Sequence, residues 1–411
     1  MNGRPPMMDF DAALAALLDE ARPVDGIETP DTLDAAGRVL ARDLRSTLDV
    51  PPLDNTSMDG YAVRVADLDE AGTPLPVSQR IPAGSVGTRL EPGTVARIFT
   101  GAPVPPGADA VVMQERTEPV DGRVRFLHRP APGEWIRRAG EDIRTDSVVL
   151  AEGTVLSPQA TGLAASVGAA TLSVRRRVRV ACFFTGSELA MPGEPLPPGG
   201  IYNSNRFVLV DLLRRLGCEV RDLGIVPDSL EATRAALRDA AVDADLILTS
   251  GGVSVGDEDH VKPAVEAEGR LSLWQIAIKP GKPLAYGQVR RASGEEGAGA
   301  HFIGLPGNPV SSFVTFLMLV RPFILRLQGV RNVTPRAMTL RADFDWPKPD
   351  RRREFLRARL NDAGGLEIFP NQSSGVLTST VWGDGLVDVP AGQPVRAGDA
   401  VRFLPFSALG A

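Results

Sequence analysis

Asp245-Leu246-Ile247-Leu248-Thr249-Ser250-Gly251-Gly252-Val253-Ser254-Val255-Gly256-Asp257-Glu258-Asp259 passes from an apolar run into a polar, glycine-rich loop. The run through Thr249 predicts a buried strand, and the remainder a loop at its carboxyl end. The same change recurs on either side. Val178 to Phe184, Glu219 to Val226, Leu273 to Ile278 and His301 to Leu305 read as strands, with helices over Arg206 to Leu216 and Ser229 to Ala241. A long apolar helix follows Leu305. This alternation predicts a central αβα domain with a mostly parallel sheet covered by helices. Such sheets bind ligands beyond the carboxyl ends of their strands.

Polar motifs follow all five strands. They are Thr185-Gly186-Ser187-Glu188, Pro227-Asp228, the loop ending at Asp259, Lys279-Pro280-Gly281-Lys282-Pro283 and Pro306-Gly307-Asn308-Pro309. Gly251 and Gly252 let backbone amides approach an anion closely, although a tight turn alone would use them too. Asp228, Asp257 and Asp259 offer hard oxygens suited to magnesium; Glu188 joins them or caps a helix. The lysines are telling. Arginine occurs 41 times and lysine 4 times, yet Lys262, Lys279 and Lys282 fall within 21 residues. Lysine meets a tetrahedral oxyanion as a compact point charge. The edge is expected to hold a charged, phosphorylated ligand with a divalent cation.

The 411-residue chain is long enough for two to four domains. Residues 50–140 are rich in Pro and Gly with short strand-like runs such as Ala110-Val111-Val112-Met113, which predicts a small β domain. Segments 7–45 and 141–175 read as mixed, and the region after Pro349 as short strands again. Arg291 to Ala300 reads as an exposed hairpin or loop. A net charge of −6 argues against a nucleic-acid partner, because such proteins present a basic face. Cys182 and Cys218 read as buried thiols in a reducing compartment. Phe10 to Leu18 predicts an amphipathic helix rather than a secretory signal, and Val310 to Leu327 a core helix rather than a membrane span. The expected location is the cytoplasm.

Further polar segments lie far from the αβα region: Asp54-Asn55-Thr56-Ser57-Met58-Asp59-Gly60-Tyr61-Ala62, Thr100-Gly101-Ala102-Pro103 and Gly140-Glu141-Asp142. Their spacing alone dictates no chemistry. Together with the Thr249 to Asp259 loop, Lys279 to Pro283 and Gly304 to Pro309, they resemble the molybdopterin molybdenumtransferase family (MoeA and the E domain of gephyrin-type proteins). The resemblance runs in order from about residue 8 to the end. The glycine-rich loop alone also occurs in molybdopterin adenylyltransferases; the Met58-Asp59-Gly60-Tyr61 loop and the β domains separate the two.

The resemblance implies a multidomain α/β plus β fold. An elongated mixed domain (1–48 and 141–175) carries an inserted β domain (49–140), followed by the αβα domain (176–329) and a C-terminal β-barrel-like domain (330–411). It implies a homodimer whose cleft joins the αβα domain of one subunit to the β domain of the other. The reaction implied is insertion of molybdate into adenylylated molybdopterin with magnesium-dependent release of AMP. Catalytic roles then fall to Asp59, Thr100, Glu188, Asp228, Asp259, Lys279 and Lys282. Magnesium falls to Glu188, Asp228, Asp257 and Asp259. The pterin substrate falls to Thr185, Gly186, Ser250, Gly251, Gly252, Ser254, Gly256, Lys262, Pro306, Gly307, Asn308, Pro309, Arg352 and Ser374. The family commonly has a glycine before its C-terminal arginine, whereas this chain reads Asp350-Arg351-Arg352-Arg353. Either Arg352 or Arg353 answers to it, and either Ser373 or Ser374 to the family's serine. Transient contacts with the adenylyltransferase and with apo-molybdoenzymes are implied as well. The alternatives are adenylyl transfer itself and a non-enzymatic, gephyrin-like scaffold.

Overall fold

The structure is a computed structural model that describes residues 7–252, 260–291 and 299–411. Its central sheet has six strands, ordered Glu219–Val226, Arg179–Thr185, Leu246–Ser250, Ala300–Leu305, Pro283–Val289 and Gly269–Gln275. The first four run parallel; Pro283–Val289 is antiparallel to both of its neighbours. Leu246–Ser250 is wholly buried, as a continuous apolar run covered on both faces requires. Helices Leu230–Ala241 and Val261–Glu268 cover one face through Leu237, Ala240, Val261 and Val265. Helix Ser204–Arg215 and the continuous Pro309–Leu327 helix, which carries a π turn over Phe316–Val320, cover the other. The multidomain αβα-plus-β class expected from the sequence is what the chain adopts.

Two expectations about this sheet need correction. The strand placed at Leu273 to Ile278 spans Gly269–Gln275, and Ile278–Lys279 leaves the sheet to pair with Arg353–Glu354 of the C-terminal sheet. The strand Pro283–Val289 carried no clear period-2 pattern, because both its faces are largely buried. Close backbone approach makes it possible. A Cβ on Gly269 would fall 1.8 Å from the Gln288 carbonyl oxygen, and one on Gly287 2.4 Å from that of Arg270. Most of the segment expected to be a hairpin or loop, residues 292–298, lies outside the described residues.

The Pro309–Leu327 helix is long and apolar enough to cross a membrane, yet it is 83% buried within the fold. It packs in one apolar core with Phe10, Ala13 and Leu17 of the N-terminal helix Phe10–Glu20 and with Phe355, Phe406 and Leu409 near the other terminus. That helix was grouped with the elongated segment; its apolar stripe lies instead against the αβα core. Asp9 caps it by accepting from the amides of Asp11 and Ala12. Both cysteines are buried thiols, Cys182 at 0% exposure, and burial pushes both up to about 12.

Within residues 60–126 six strands form a sheet ordered Ala110–Met113, Gly60–Val63, Val95–Ile98, Leu75–Ile81, Arg123–Phe126 and Thr117–Val120. Short two-stranded pairings, Ile27–Glu28 with Val174–Arg175 and Leu44–Arg45 with Val148–Leu150, tie the flanking segments together. The C-terminal sheet is built on Arg353–Leu360, Gly385–Val389, Ala400–Pro405 and Met338–Arg341. Arg353 locks it to the N-terminal helix, donating to both oxygens of Asp388 (2.6 and 2.7 Å) and to Asp11 (2.8 Å) while lying over the Phe10 ring. Asp388 is buried, so Asp388→Ala would leave Arg353 without its bidentate partner. We expect a loss on the order of 3 kcal/mol, read as a lowered unfolding midpoint in denaturant melts; a loss under about 1 kcal/mol would contradict the role given to this pair.

Candidate functional site

At the carboxyl edge of the parallel strands lies a cleft of about 810 Å³. One wall comes from the αβα loops: Thr185, Gly186, Glu188, Asp228, Ser250, Gly251, Gly252, Lys279, Lys282 and Pro306 to Pro309. Arg352, Gln372, Ser373 and Ser374 of the C-terminal region form the opposite wall. Most of the αβα candidates chosen from the sequence are therefore brought together. Ser254, Gly256, Asp257 and Asp259 lie outside the described residues. Lys262 sits on the helix Val261–Glu268, and Asp59 and Thr100 lie in turns at the ends of the strands Gly60–Val63 and Val95–Ile98; none of the three lines the cleft.

The αβα wall is fixed by backbone geometry. Gly251 has φ +97°, and a Cβ there would meet the Thr185 carbonyl oxygen at 2.6 Å; at Gly252 (φ +64°) it would meet Val261 at 2.4 Å. Only glycine lets this turn press against the neighbouring strand end. Ser250 was expected to contact a ligand, but its hydroxyl donates to the Pro306 carbonyl (2.9 Å) and accepts from Asn205 Nδ2 (2.8 Å). Asn205 also donates to the Gly307 carbonyl at 2.8 Å, so this pair ties the two loops together. The Pro309–Leu327 helix opens at the cleft with Asn308 at its N-cap, so the positive end of a helix dipole lies at the cleft wall, an arrangement suited to an anion.

The lysine turn is clamped from three directions. The Ile276 amide donates to the Lys282 carbonyl, the Ala277 amide to the Met8 carbonyl, and the Arg353 amide to the Ala277 carbonyl. Lys279 Nζ faces the buried Glu354 carboxylate at 2.9 Å and Asp350 at 3.5 Å. Lys279 is thus fixed and partly neutralised by two carboxylates. Of the two candidate arginines, Arg352 lines the cleft, whereas Arg353 is spent on Asp388 and Asp11. Both Ser373 and Ser374 line it.

Glu188 and Asp228 bring the cleft's carboxylates. Asp228 accepts from the Thr185 hydroxyl at 3.1 Å. The Glu188 carboxylate occupies the space over Gly186, where a Cβ would come within 2.6 Å of it. Among the described residues no three His, Cys, Asp or Glu side chains gather as a metal site. Two hard carboxylates lining the cleft still suit magnesium, which needs few protein ligands and keeps waters and phosphate oxygens for the rest.

Sequence reasoning missed three supports of the cleft. Asn203 lines it; its side chain is 2% exposed and its Nδ2 has no partner among the described residues. A buried, unsatisfied donor on a cleft wall is suited to a polar ligand. Gln372 accepts from the Arg357 amide and donates to the Arg357 carbonyl. Arg357, 1% exposed, donates to the Ser379 hydroxyl and to the Ser373 and Phe355 carbonyls, and burial pushes it down to about 10. An arginine in a strand-like Phe355-Leu356-Arg357-Ala358 run was the available signal.

Away from the cleft, three turn segments meet at one end of the β sheet. Register places Gly60 opposite Ile98, so the residues just outside that pair, Asp59 and Thr100, become neighbours. The Thr100 amide and hydroxyl each donate to Asp59 Oδ1 at 2.7 Å and hold the Asp59 carboxyl below its usual range. Asp54 accepts from Arg138 and from the Ala139 amide, and Asn55–Thr56 pairs with Ile136–Arg137.

Comparison with known proteins agrees along the whole chain. Residues 8–168 match the MoeA N-terminal region (domain I and II), 181–326 the probable molybdopterin binding domain, and 339–406 the MoeA C-terminal region (domain IV). The molybdopterin molybdenumtransferase of Haemophilus influenzae is 39% identical over 98% of this chain and 100% of its own length. Molybdopterin molybdenumtransferase 2 of Mycobacterium tuberculosis is 38% identical over 93% of this chain and 95% of its own. The crystal structure of the molybdopterin biosynthesis moeA protein from Pyrococcus horikoshii OT3 superposes with a TM-score of 0.85 at 28% identity, covering 97% of this chain and 100% of that one. With its three regions matched in order and relatives 38–39% identical over nearly its full length, this chain belongs to the molybdopterin molybdenumtransferase (MoeA) family.

Proposed function

We propose that the protein inserts molybdate into adenylylated molybdopterin in molybdenum cofactor biosynthesis and releases AMP. The observation that carries this reading is the convergence of Lys279, Lys282 and Arg352 with the Gly251–Gly252 turn and the Pro309 helix start on one cleft. Three cations and a helix N-terminus suit a ligand bearing phosphate beside a tetrahedral oxyanion. In this reading the glycine turn and helix start hold the pterin phosphate. Lys279, Lys282 and Arg352 hold molybdate beside the dithiolene sulfurs. Ser373 or Ser374 adds a hydroxyl on the C-terminal side. Magnesium, held by Glu188 and Asp228 with Asp257 and Asp259, would neutralise charge developing on the phosphoanhydride oxygens. A site that orients both substrates and excludes bulk water lowers the barrier chiefly by positioning and electrostatics.

Asp59 and Thr100 form a tight pair that does not line the cleft of their own chain. We read the protein as a cytoplasmic homodimer in which this turn cluster enters the partner's cleft. The domain division given by the resemblance, 1–48 with 141–175, 49–140, 176–329 and 330–411, places the cluster on the inserted β domain. Transient contacts with the adenylyltransferase and with apo-molybdoenzymes belong to the same reading.

The direct test is AMP release from adenylylated molybdopterin with magnesium as molybdate is titrated. Saturable, molybdate-dependent release that yields cofactor able to activate an apo-molybdoenzyme is the expected result. Bound pterin without release would favour a scaffold, and adenylylation of molybdopterin from ATP would favour the alternative enzyme.

Two variant series extend this. Lys279→Ala and Lys282→Ala should each lower molybdate-dependent turnover by roughly a hundredfold, as expected for lost oxyanion donors. Gly251→Ala should weaken pterin binding as well, because the turn must move off Thr185. If the cleft is shared, mixing inactive Asp59→Ala and Lys279→Ala proteins should restore about a quarter of wild-type turnover, since half of a randomly mixed C2 population carries one intact site of two. No recovery after verified subunit exchange would count against a shared cleft.

A further inference from the structure

The cationic wall of the cleft carries its own anion. Arg352 donates from Nε and Nη2 to the two oxygens of Asp350 at 2.9 and 2.7 Å, and its backbone amide donates to Asp350 Oδ1 at 3.1 Å. Lys279 Nζ lies 3.5 Å from the same carboxylate. Asp350 therefore engages two of the three cations assigned to the oxyanion. Glu354 plays a different part. It is 1% exposed, its other oxygen accepts from Trp346 Nε1 and the Asp350 amide, and it belongs to the scaffold. Asp350 is more accessible, at 21% side-chain exposure, and engages the guanidinium of Arg352, a residue of the cleft wall, without lining the cleft itself. The Arg352 fork holds the Asp350 carboxyl far below the ordinary carboxylate range, so protonation does not free the cations at working pH.

We propose that Asp350 is a tethered competing anion that determines which oxyanions the cleft accepts, favouring tetrahedral dianions over monoanions of the same size. The inference rests on the reading of Lys279 and Arg352 as oxyanion ligands. A carboxylate two residues from its partner competes at high effective concentration, so a ligand must displace it. Replacing one single charge by another gains little Coulomb energy, whereas a dianion gains from both cations at once. Discrimination then comes from a penalty laid on the wrong ligand rather than from extra contacts with the right one. Asp350 is a specificity-determining residue in this scheme and takes no part in bond making.

Calorimetric titration with molybdate and with perrhenate, a tetrahedral monoanion of similar size, tests it on wild type, Asp350→Asn and Lys279→Ala. Asparagine keeps the shape and the acceptor for the Arg352 amide while removing the charge; Asp350→Ala, run beside it, separates charge from amide effects. In both Asp350 variants perrhenate affinity should rise roughly tenfold, and molybdate affinity by less, narrowing the ratio between them. Affinities that stay level, fall, rise equally, or remain unmeasurable in wild type and variants alike would overturn the proposal. Molybdate binding unaffected by Lys279→Ala would instead overturn the parent reading of the oxyanion site. Molybdate binding lost in Lys279→Ala, with Asp350→Asn behaving as wild type, would remove this inference and leave that reading standing.

Discussion

Lys279 and Glu354 meet where two sheets join, and most of the cleft depends on that junction. Glu354 sits at 1% exposure, a position where an unpaired carboxylate would be costly. Its charge is met by Lys279, and its second oxygen by an indole N–H and a backbone amide. Around the pair, Ile278–Lys279 runs parallel to Arg353–Glu354, so the lysine turn and the arginine wall share one short ladder. A change of register here would move Lys279, Arg352 and Asp350 together. The two walls of the cleft are held in one frame by this contact and by the Val310 amide donating to the Ser374 carbonyl.

A cleft built this way balances opposed demands. It gathers cations to attract phosphate and oxyanion, yet each isolated charge would repel its neighbours and cost solvation. The structure answers with carboxylates placed behind the cations. Glu354 is buried; Asp350 is partly exposed and paired with the guanidinium of Arg352. Arg357 goes the other way, a buried guanidinium that donates, among the described residues, to a hydroxyl and to the Phe355 and Ser373 carbonyl oxygens. Net charge at the cleft is thus tuned by groups behind its wall as well as by those that line it.

Much of this was readable from the residues. The αβα rhythm was clear because fully buried parallel strands leave continuous apolar runs such as Leu246 to Leu248, and because glycine-rich loops mark their ends. Lysine rarity singled out Lys279 and Lys282, two of the cleft's three cations. What stayed hidden was relational. No local pattern shows that Ile278–Lys279 abandons its sheet for a strand some 75 residues later, because pairing between distant two-residue strands leaves no periodicity. Nor does Pro283-Leu284-Ala285-Tyr286 announce a strand whose two faces are both covered. Asn203, Asn205 and Gln372 are ordinary polar residues in sequence, and acquire meaning only through the loops they join. The arginine register, open in Asp350-Arg351-Arg352-Arg353, comes down to which guanidinium Asp388 captures.

The membrane-like helix has a consequence for how the chain comes to exist at all. Its apolar surface is sealed by Phe10 and Leu17 from the first 20 residues and by Phe406 and Leu409 from the last 10, with Phe313 and Phe406 ring centroids 5.4 Å apart. During synthesis one flank of this nineteen-residue apolar helix therefore waits for Phe406, some 80 residues further along the chain, while the sheet and N-terminal helix that cover the rest are already made. A nascent chain halted short of Phe406 would leave that flank of the helix as an exposed apolar surface, open to chaperones and to aggregation.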